Sequence, residues 1–217
     1  MEKKTLDYNQ LFKDELVKQG FVIFKENEIK EAAEIFTGAF KNYPLYTYFK
    51  KKYNYKHCLK WNIAVIKKMY KNAVVFTDQS RSMVAIFCCN QFTGFDFKEL
   101  NHNGGWKAYF TLGRKAIKKS DEFEVLSAQA RKKHTNFDAI YCFVVALKPE
   151  SQGTWLLLKL NKIIHDFCDK YQRDFYFETH SGKHETMYKR FGYQMVEKIQ
   201  LPGTDNCCQY CFMYKHK

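Results

Sequence analysis

One continuous segment, residues 142–171, constrains the fold of this 217-residue chain more than any other. It starts within a short run of apolar, β-branched and aromatic residues, 141–147, which predicts a buried strand. Pro149 ends that strand, because proline cannot continue a hydrogen-bonded ladder. A tight turn at 152–153 follows. Apolar residues then recur every three or four positions over 156–171, which predicts a helix with one buried face.

A strand, a glycine turn and a helix start form an arrangement that can hold an anion. The first backbone N–H groups of a helix have no partner within it, and the helix dipole adds partial positive charge there. We therefore expect the turn at Gln152 and Gly153 to suit the pyrophosphate of a nucleotide-like coenzyme. A strand, a glycine turn and a helix occur together in many proteins, so the assignment of a coenzyme site requires a second motif.

The composition indicates a globular protein. Hydrophobic residues make up 46% of the chain, and no apolar run approaches the roughly 18 residues needed to span a bilayer. The sequence starts without the apolar core of a signal peptide, so we expect no membrane attachment and a cytoplasmic location. Its 8 cysteines fit that prediction, because several lie in apolar patterns where a free thiol behaves as a small hydrophobe.

The formal net charge of +13 allows two interpretations. A basic chain can bind nucleic acid, but that function usually needs basic residues gathered on one face or a recognition motif. Here most of the 36 basic residues are lysines scattered through the chain. Nucleic-acid binding is therefore the lesser alternative, and a cationic surface can equally attract an anionic coenzyme.

Periodicity and turn signals predict a mixed α/β sheet with helices on both faces. Two of the predicted helices are separated by a cap at Ser120, and a polar break at 78–81 predicts a hairpin. The predicted elements are helix 7–18, strand 21–25, a helix from about 27 to 40, a loop or short helix at 43–49, helix 57–70, strands 73–77 and 83–89, helices 106–119 and 121–133, strand 141–147, helix 156–171, strand 174–179, helix 184–191, and strands 194–201 and 207–214.

Two motifs together resemble the GNAT acyltransferase superfamily. Residues 145–153 read Val-Ala-Leu-Lys-Pro-Glu-Ser-Gln-Gly, which is similar to that family's coenzyme-binding motif. Residues 188–193 read Tyr-Lys-Arg-Phe-Gly-Tyr, which is similar to its second motif, a tyrosine-bearing helix closed by glycine. The resemblance implies a GNAT-like fold over a single domain, 1–217, with a helical insertion around 106–134. It also implies transfer of an acetyl group from acetyl-CoA, without a metal, to a primary amine by direct attack on the thioester.

The resemblance assigns roles to individual residues. The strand end carries backbone groups that would bind the pantetheine arm, and the following loop would bind the pyrophosphate. Tyr188 would protonate the departing thiolate as general acid and contact the coenzyme. Ser181 and His184, which stand where the family usually has an asparagine, complete the expected coenzyme site. The strand and loop positions are Val145, Ala146, Leu147, Gln152, Gly153, Thr154, Trp155, Leu156 and Leu157.

The loop departs from the family pattern at two positions. Small residues usually follow the Gln-Gly pair, whereas this chain has Trp155 and Leu157. Glycine lets the backbone approach phosphate closely, so both larger side chains must point elsewhere, into the core or onto the edge of the coenzyme. A GNAT-like domain that has lost catalysis and serves as a binding or regulatory module is therefore the first alternative function.

The general base carries no family signature. Glu178, at the end of the strand after the coenzyme helix, is the first candidate, with Asp138 and His180 behind it. Cys208 and Cys211 have the spacing of metal ligands but lack a matching second pair, so no metal site is predicted. The expected partner is a small-molecule or peptide amine, and the resemblance allows a homodimer through the last strands.

Overall fold

A computed structural model describes residues 6–49, 54–94, 113–153, 155–205 and 207–217. Within these residues the chain forms eight α-helices and strands before residue 140, and six from that residue onward. The helices are α1 Tyr8–Lys18, α2 Ile29–Ala39, α3 Pro44–Phe49, α4 Tyr55–Tyr70, α5 Arg114–Thr135, α6 Leu156–Tyr171 and α7 Glu185–Arg190. The strands are β1 Val22–Ile23, β2 Val74–Thr77, β3 Met83–Cys88, β4 Ile140–Leu147, β5 Phe175–Thr179, β6 Gln194–Gln200 and β7 Cys208–Tyr214.

The described strands form one seven-stranded mixed sheet in the order β1-β2-β3-β4-β5-β7-β6. All neighbours pair antiparallel except β4 and β5, which are parallel and are connected by α6. A parallel pair needs such a crossover, because its second strand must start at the same end of the sheet as its first. The one parallel pair therefore lies where the coenzyme motif was predicted.

Helices cover both faces of the sheet, as predicted. On one face, α1 and α6 pack over a core rich in phenylalanine, including Phe12, Phe76 and Phe167. On the other face, α2 and α4 cover a core of mainly aliphatic residues, including Ile66 and Ile86. Strand residues alternate between these two cores, which explains why β2 and β3 are apolar at almost every position.

The predicted break between two helices near Ser120 is wrong. Residues 114–135 form one continuous helix, and the earlier part of the first predicted helix, 106–112, lies outside the described residues. Buried residues occur both before the serine, at Ile117, and after it, at Ala130. Lys119 also donates a hydrogen bond to the Tyr48 carbonyl at 2.9 Å. Tertiary contacts on both sides therefore outweigh the weak tendency of serine to start a helix.

The hairpin between β2 and β3 forms at the predicted polar break. The Asp78 carboxylate accepts hydrogen bonds from the backbone N–H groups of Ser80, Ser82 and Met83, at 3.1, 2.7 and 3.1 Å. An aspartate that satisfies several N–H groups in this way stabilises a tight turn. In the described residues, no helix is long and apolar enough to cross a membrane.

The central core makes a direct prediction about stability. Phe87 is fully buried and its ring contacts those of Phe12, Phe76 and Phe175. Phe87→Ala should lower the free energy of unfolding by about 3–5 kcal/mol, because it removes apolar burial and leaves a cavity. Urea denaturation followed by circular dichroism measures the change. Val17→Ala, at a side chain that is 57% exposed, should change it by less than about 0.5 kcal/mol. Equal effects of the two substitutions would contradict this packing.

Candidate active site

The end of β4 separates from β5. β4 pairs with β3 along most of its length, but it pairs with β5 only through Ile140, Tyr141 and Cys142. Residues 143–147 make no ladder pair with β5, and both strands lie wholly within the described part of the chain. The side of β4 that faces β5 therefore presents unpaired backbone donors and acceptors. We call the gap between residues 143–147 and the end of β5 the β4–β5 cleft.

A bulge in β4 accompanies this separation. Ile86 of β3 pairs with Val144 and Phe87 pairs with Cys142, so Phe143 is an extra residue in the ladder. A β-bulge bends its strand and increases the local twist. The bulge occurs where pairing with β5 stops, which gives the cleft a local cause. Val145, Ala146 and Leu147, the residues expected to contact pantetheine, lie beyond it along the open edge.

The loop after β4 leads to an open helix N-terminus. A turn of 3-10 helix, Pro149–Ser151, precedes Gln152, and Gly153 follows with a φ of +80°. Only glycine adopts that conformation readily, and a Cβ atom at Gly153 would meet no atom within 4 Å. No described side chain caps the first turn of α6, which begins at Leu156. Its first backbone N–H groups are thus available to an anion. Thr154, assigned to the same loop, lies outside the described residues.

The two large residues of the loop lie in different environments. Trp155 is 65% exposed, so its indole does not enter the core, and the other expected position, at the edge of the coenzyme, stays a prediction. The Lys159 ammonium lies 5.4 Å from the centre of the indole ring. Leu157 is half-buried at the edge of the core beneath α6, and Leu156 is buried in it. The arrangement leaves the space around Gly153 open.

Tyr188 lies beside β5 on the face covered by α6. Its ring contacts Phe177 at a centroid distance of 4.9 Å and Phe212 at 5.1 Å. Burial raises the pKa of the Tyr188 phenol above its ordinary value, and its neighbours Tyr43 and Cys142 add to the rise. The phenol is therefore protonated at neutral pH, as a general acid must be.

A hydrogen-bonded group formed by Tyr43, Thr179 and His180 lies at the end of β5. The Tyr43 hydroxyl lies 3.2 Å from Thr179 Oγ1 and 3.3 Å from His180 Nδ1. It also accepts a hydrogen bond from the His180 backbone N–H at 2.7 Å. Burial raises the pKa of Tyr43 to about 12, so its hydroxyl keeps its proton. These contacts fasten the loop between α2 and α3 to the mouth of the cleft.

Ser181 and His184 lie in the turn between β5 and α7. The Ser181 N–H donates to Thr179 Oγ1 at 3.3 Å, and Ser181 is half-buried. His184 is exposed, and its ring centre lies 6.3 Å from that of Tyr188. His184 therefore lies near the predicted acid. The assigned contacts of both residues with the coenzyme stay predictions.

Glu178 lies where β4 and β5 part, immediately after the last residue of β5 that pairs with β4. Its side chain is 6% exposed, and Oε2 accepts a hydrogen bond from the Tyr141 hydroxyl at 2.9 Å. Burial raises the pKa of the Glu178 carboxyl to about 7, although the nearby guanidinium of Arg131 and the Tyr141 hydrogen bond oppose the rise. Because side chains alternate along a strand, Glu178 faces away from Tyr188, toward the opposite face of the sheet.

Arg131 brings helix α5 to this carboxyl. Its guanidinium is 2% exposed, with Nη1 lying 3.6 Å from Glu178 Oε1 and 3.3 Å from the Tyr141 hydroxyl. Nη2 donates to Glu124 at 2.7 Å, also on α5. The guanidinium lies over the rings of Tyr141 and Phe92, at 4.6 and 5.3 Å. We call Glu124, Arg131, Tyr141 and Glu178 the buried ion cluster.

The two other candidate bases are less suitable. Asp138 precedes β4 at the paired end, opposite the cleft, and its side chain is 83% exposed. His180 lies at the cleft, but burial lowers the pKa of its imidazole to about 4. A group with so low a pKa accepts a proton weakly at neutral pH. Across the described residues, no group of three or more His, Cys, Asp or Glu side chains could hold a metal ion.

The sequence itself matches no protein-family model, and no curated protein matches it. Similarity is found among solved structures. The C-terminal condensation domain of Ebony, in complex with β-alanyl-dopamine, aligns over 90% of this chain and 97% of its own, with a TM-score of 0.65 at 9% identity. A protein of the mosquito Aedes aegypti, assigned as an arylalkylamine N-acetyltransferase, covers 90% and 86%, with a TM-score of 0.61 at 14% identity.

A third structure was solved with its cofactor acetyl-CoA. It is the yncA protein of Salmonella typhimurium, assigned as an acetyltransferase, which covers 91% of this chain and 93% of its own with a TM-score of 0.51 at 11% identity. Identities this low relate folds and do not assign activities. The mixed seven-stranded sheet and its helices align with these three structures over about 90% of the chain. The chain therefore has the GNAT fold.

Proposed function

We propose that this protein is an acetyl-CoA-dependent N-acetyltransferase that acts on a primary amine. The observation that supports this most is the β4–β5 cleft, which runs into an uncapped helix N-terminus at one end and has Tyr188 beside it. An open strand edge suits the amide groups of a pantetheine arm, because each can pair with a backbone group. The helix start suits a pyrophosphate. The residues present thus fit the coenzyme.

Each part of the chain has a role in the proposed coenzyme site. Val145, Ala146 and Leu147 would pair with the pantetheine arm through their backbone groups. Loop residues from Gln152 to Leu157 would hold the pyrophosphate through backbone N–H groups, while Trp155 stays on the solvent side. When bound, acetyl-CoA supplies an activated acetyl group. A backbone N–H on the open edge of β4 would stabilise the negative charge that develops on its carbonyl oxygen.

Two side chains would move the protons. Glu178 would accept a proton from the ammonium form of the acceptor, since a carboxylate with a pKa of about 7 is both available and basic at neutral pH. Tyr188 would donate a proton to the departing thiolate, since burial keeps its phenol protonated. The two lie on opposite faces of the sheet, which separates the acceptor side from the coenzyme side.

The proposed acceptor side is aromatic. Phe40 contacts the rings of Phe36, Tyr43 and Tyr46, at centroid distances of 5.1, 4.5 and 6.5 Å. Tyr43 links this cluster to the end of β5, next to Glu178. One of the structural neighbours is named for arylalkylamines, and another was solved with a conjugate of dopamine, which is itself an arylalkylamine. A small-molecule amine is therefore our first choice, and a peptide amine the second.

Two alternatives stay open to experiment. A GNAT-like module without catalysis would bind acetyl-CoA, or fail to bind it, with no turnover for any amine. A nucleic-acid-binding protein would bind oligonucleotides with a strong dependence on salt, because phosphate contacts release counterions. A homodimer also stays a proposal, supported by the mostly exposed strand β6, Gln194–Gln200, at the edge of the sheet. A single domain over 1–217 and a cytoplasmic location are likewise proposals.

Calorimetry of acetyl-CoA binding tests the proposed coenzyme site. We expect micromolar affinity for the natural chain and a loss of at least about tenfold for Gly153→Asp, because a carboxylate at the open turn repels the pyrophosphate. Gly153→Asn is the matched control, since asparagine tolerates a positive φ as aspartate does but carries no charge. It should retain most of the affinity. Binding too weak to detect near 1 mM by the natural chain would overturn the proposal.

Tyr188→Phe tests the general acid. We expect kcat to fall roughly 100-fold while acetyl-CoA affinity changes little, because the substitution removes one proton donor and keeps the ring contacts. Steady-state kinetics with the best amine from a screen, monitored by thiol release, measures the effect. The control is Tyr193→Phe, which removes a hydroxyl from another ring packed on Phe177. Equal activities of these two variants would exclude Tyr188 as the acid.

Glu178→Gln tests the general base through pH. For the natural chain, kcat/KM should rise about tenfold per pH unit below pH 7 and level off above it, as the Glu178 carboxyl loses its proton. Glu178→Gln should have a lower kcat/KM at every pH and should lack the rise below pH 7. Glu197→Gln, at a carboxylate on β6 that pairs with Lys133 and His134, should keep it. A rise that persists unchanged in Glu178→Gln would rule the residue out.

A further inference from the structure

Helix α5 places a charged pair beside the carboxyl that we propose as the base. Arg131 and Glu124 lie one above the other on this helix, joined at 2.7 Å, and the guanidinium reaches on to Glu178. The guanidinium is almost fully buried between Tyr141 and Phe92, whereas the Glu124 side chain is 20% exposed. A buried cation is costly unless a carboxylate is paired with it, so Arg131 needs carboxylate partners close to its guanidinium.

We infer that Glu124 and Arg131 are positioning residues for the reaction and set the proton affinity of Glu178 in opposite directions. The inference rests on the proposed function, in which Glu178 takes the proton from the acceptor amine. Arg131 attracts the ionised carboxylate, whereas Glu124 both repels it and neutralises part of the guanidinium charge. The two charges therefore keep the pKa of the Glu178 carboxyl high enough to accept a proton and low enough to release it.

The geometry around Glu178 supports this division of roles. One oxygen accepts the Tyr141 hydroxyl hydrogen, and the other faces Arg131 at 3.6 Å without a close hydrogen bond. At that distance the guanidinium acts mainly through its charge. The nearer contact of Arg131, 2.7 Å, is to Glu124. A cation shared unequally between two carboxylates leaves the weaker partner only partly compensated, and here that partner is Glu178.

Every element packed against Glu178 adds a titratable group. Helix α5 contributes the charged groups of Arg131 and Glu124. The groups of the sheet are Tyr141 and Cys142 on β4, Tyr176 on β5 and Cys211 on β7, and Tyr43 lies nearby before α3. Burial raises the pKa of each of these tyrosines and cysteines above its ordinary value. They therefore stay neutral around pH 7, and the charges that act on Glu178 are those of Arg131 and Glu124.

Opposite shifts test the inference. Glu124→Gln should lower the pKa of Glu178 by at least about half a unit, because it removes a like charge and frees the guanidinium. Arg131→Gln should raise it by about 1–3 units, the usual effect of losing an opposite charge at this range. In each variant, the pH range over which kcat/KM rises should move in the same direction as the pKa of Glu178. Arg131→Lys keeps the charge and should shift this range much less than Arg131→Gln.

Carbon NMR of glutamate carboxyls, assigned with Glu178→Gln, measures the same pKa without any need for activity. Circular dichroism first checks that each variant folds, and the mild Glu124→Gln change keeps the test valid should the Arg131 variants not fold. Glu197→Gln, whose carboxylate pairs with the same helix, should leave the Glu178 titration unchanged. No shift in Glu124→Gln, or shifts of the same sign in both variants, would overturn the inference. Opposite shifts by NMR in a protein that acetylates no amine would instead overturn the proposed function alone.

Discussion

The separation of two parallel strands is the constraint on which the rest of this structure depends. A strand inside a sheet normally has both edges hydrogen-bonded, and a buried backbone group without a partner is costly. Here the bulge at Phe143 turns the end of β4 away from β5 and leaves one edge free. The free edge has to be satisfied by water or by a ligand. A molecule rich in amide groups, such as the pantetheine arm, is well matched to it.

The groups around the cleft are arranged by the two faces of the sheet. On the face of α6, aromatic packing buries the Tyr188 phenol and keeps it protonated. On the opposite face, burial raises the pKa of the Glu178 carboxyl to about 7, and the charge of Arg131 opposes the rise. An acid and a base with separated environments can both function at one pH, because each is shifted by its own surroundings. The strand alternation at Phe177 and Glu178 provides that separation.

Much of the fold was predictable from the sequence, and the site less so. Strong periodicity in 156–171, a polar turn at Asp78 and the glycine closing α7, which has a φ of +89°, each carried a local signal. The continuity of α5 carried none, because distant contacts decided it. Glu124 and Arg131 were missed for the same reason, since Arg131 reaches Glu178, a residue remote in sequence. A weak signal existed for Arg131, because it is one of the few arginines in a chain whose cations are mostly lysine.

The short pairing between β4 and β5 has a mechanical consequence. Only three residue pairs in the described ladders connect the β1–β4 half of the sheet to the half formed by β5, β7 and β6. Such a seam behaves as a pivot, since a small rotation there disturbs few hydrogen bonds but changes the width of the gap at its far end. The hydrogen bonds of Tyr43 to Thr179 and His180 lie at that far end, where leverage is greatest. The Tyr43 hydroxyl therefore joins the loop between α2 and α3 to the end of β5 at the open end of the gap.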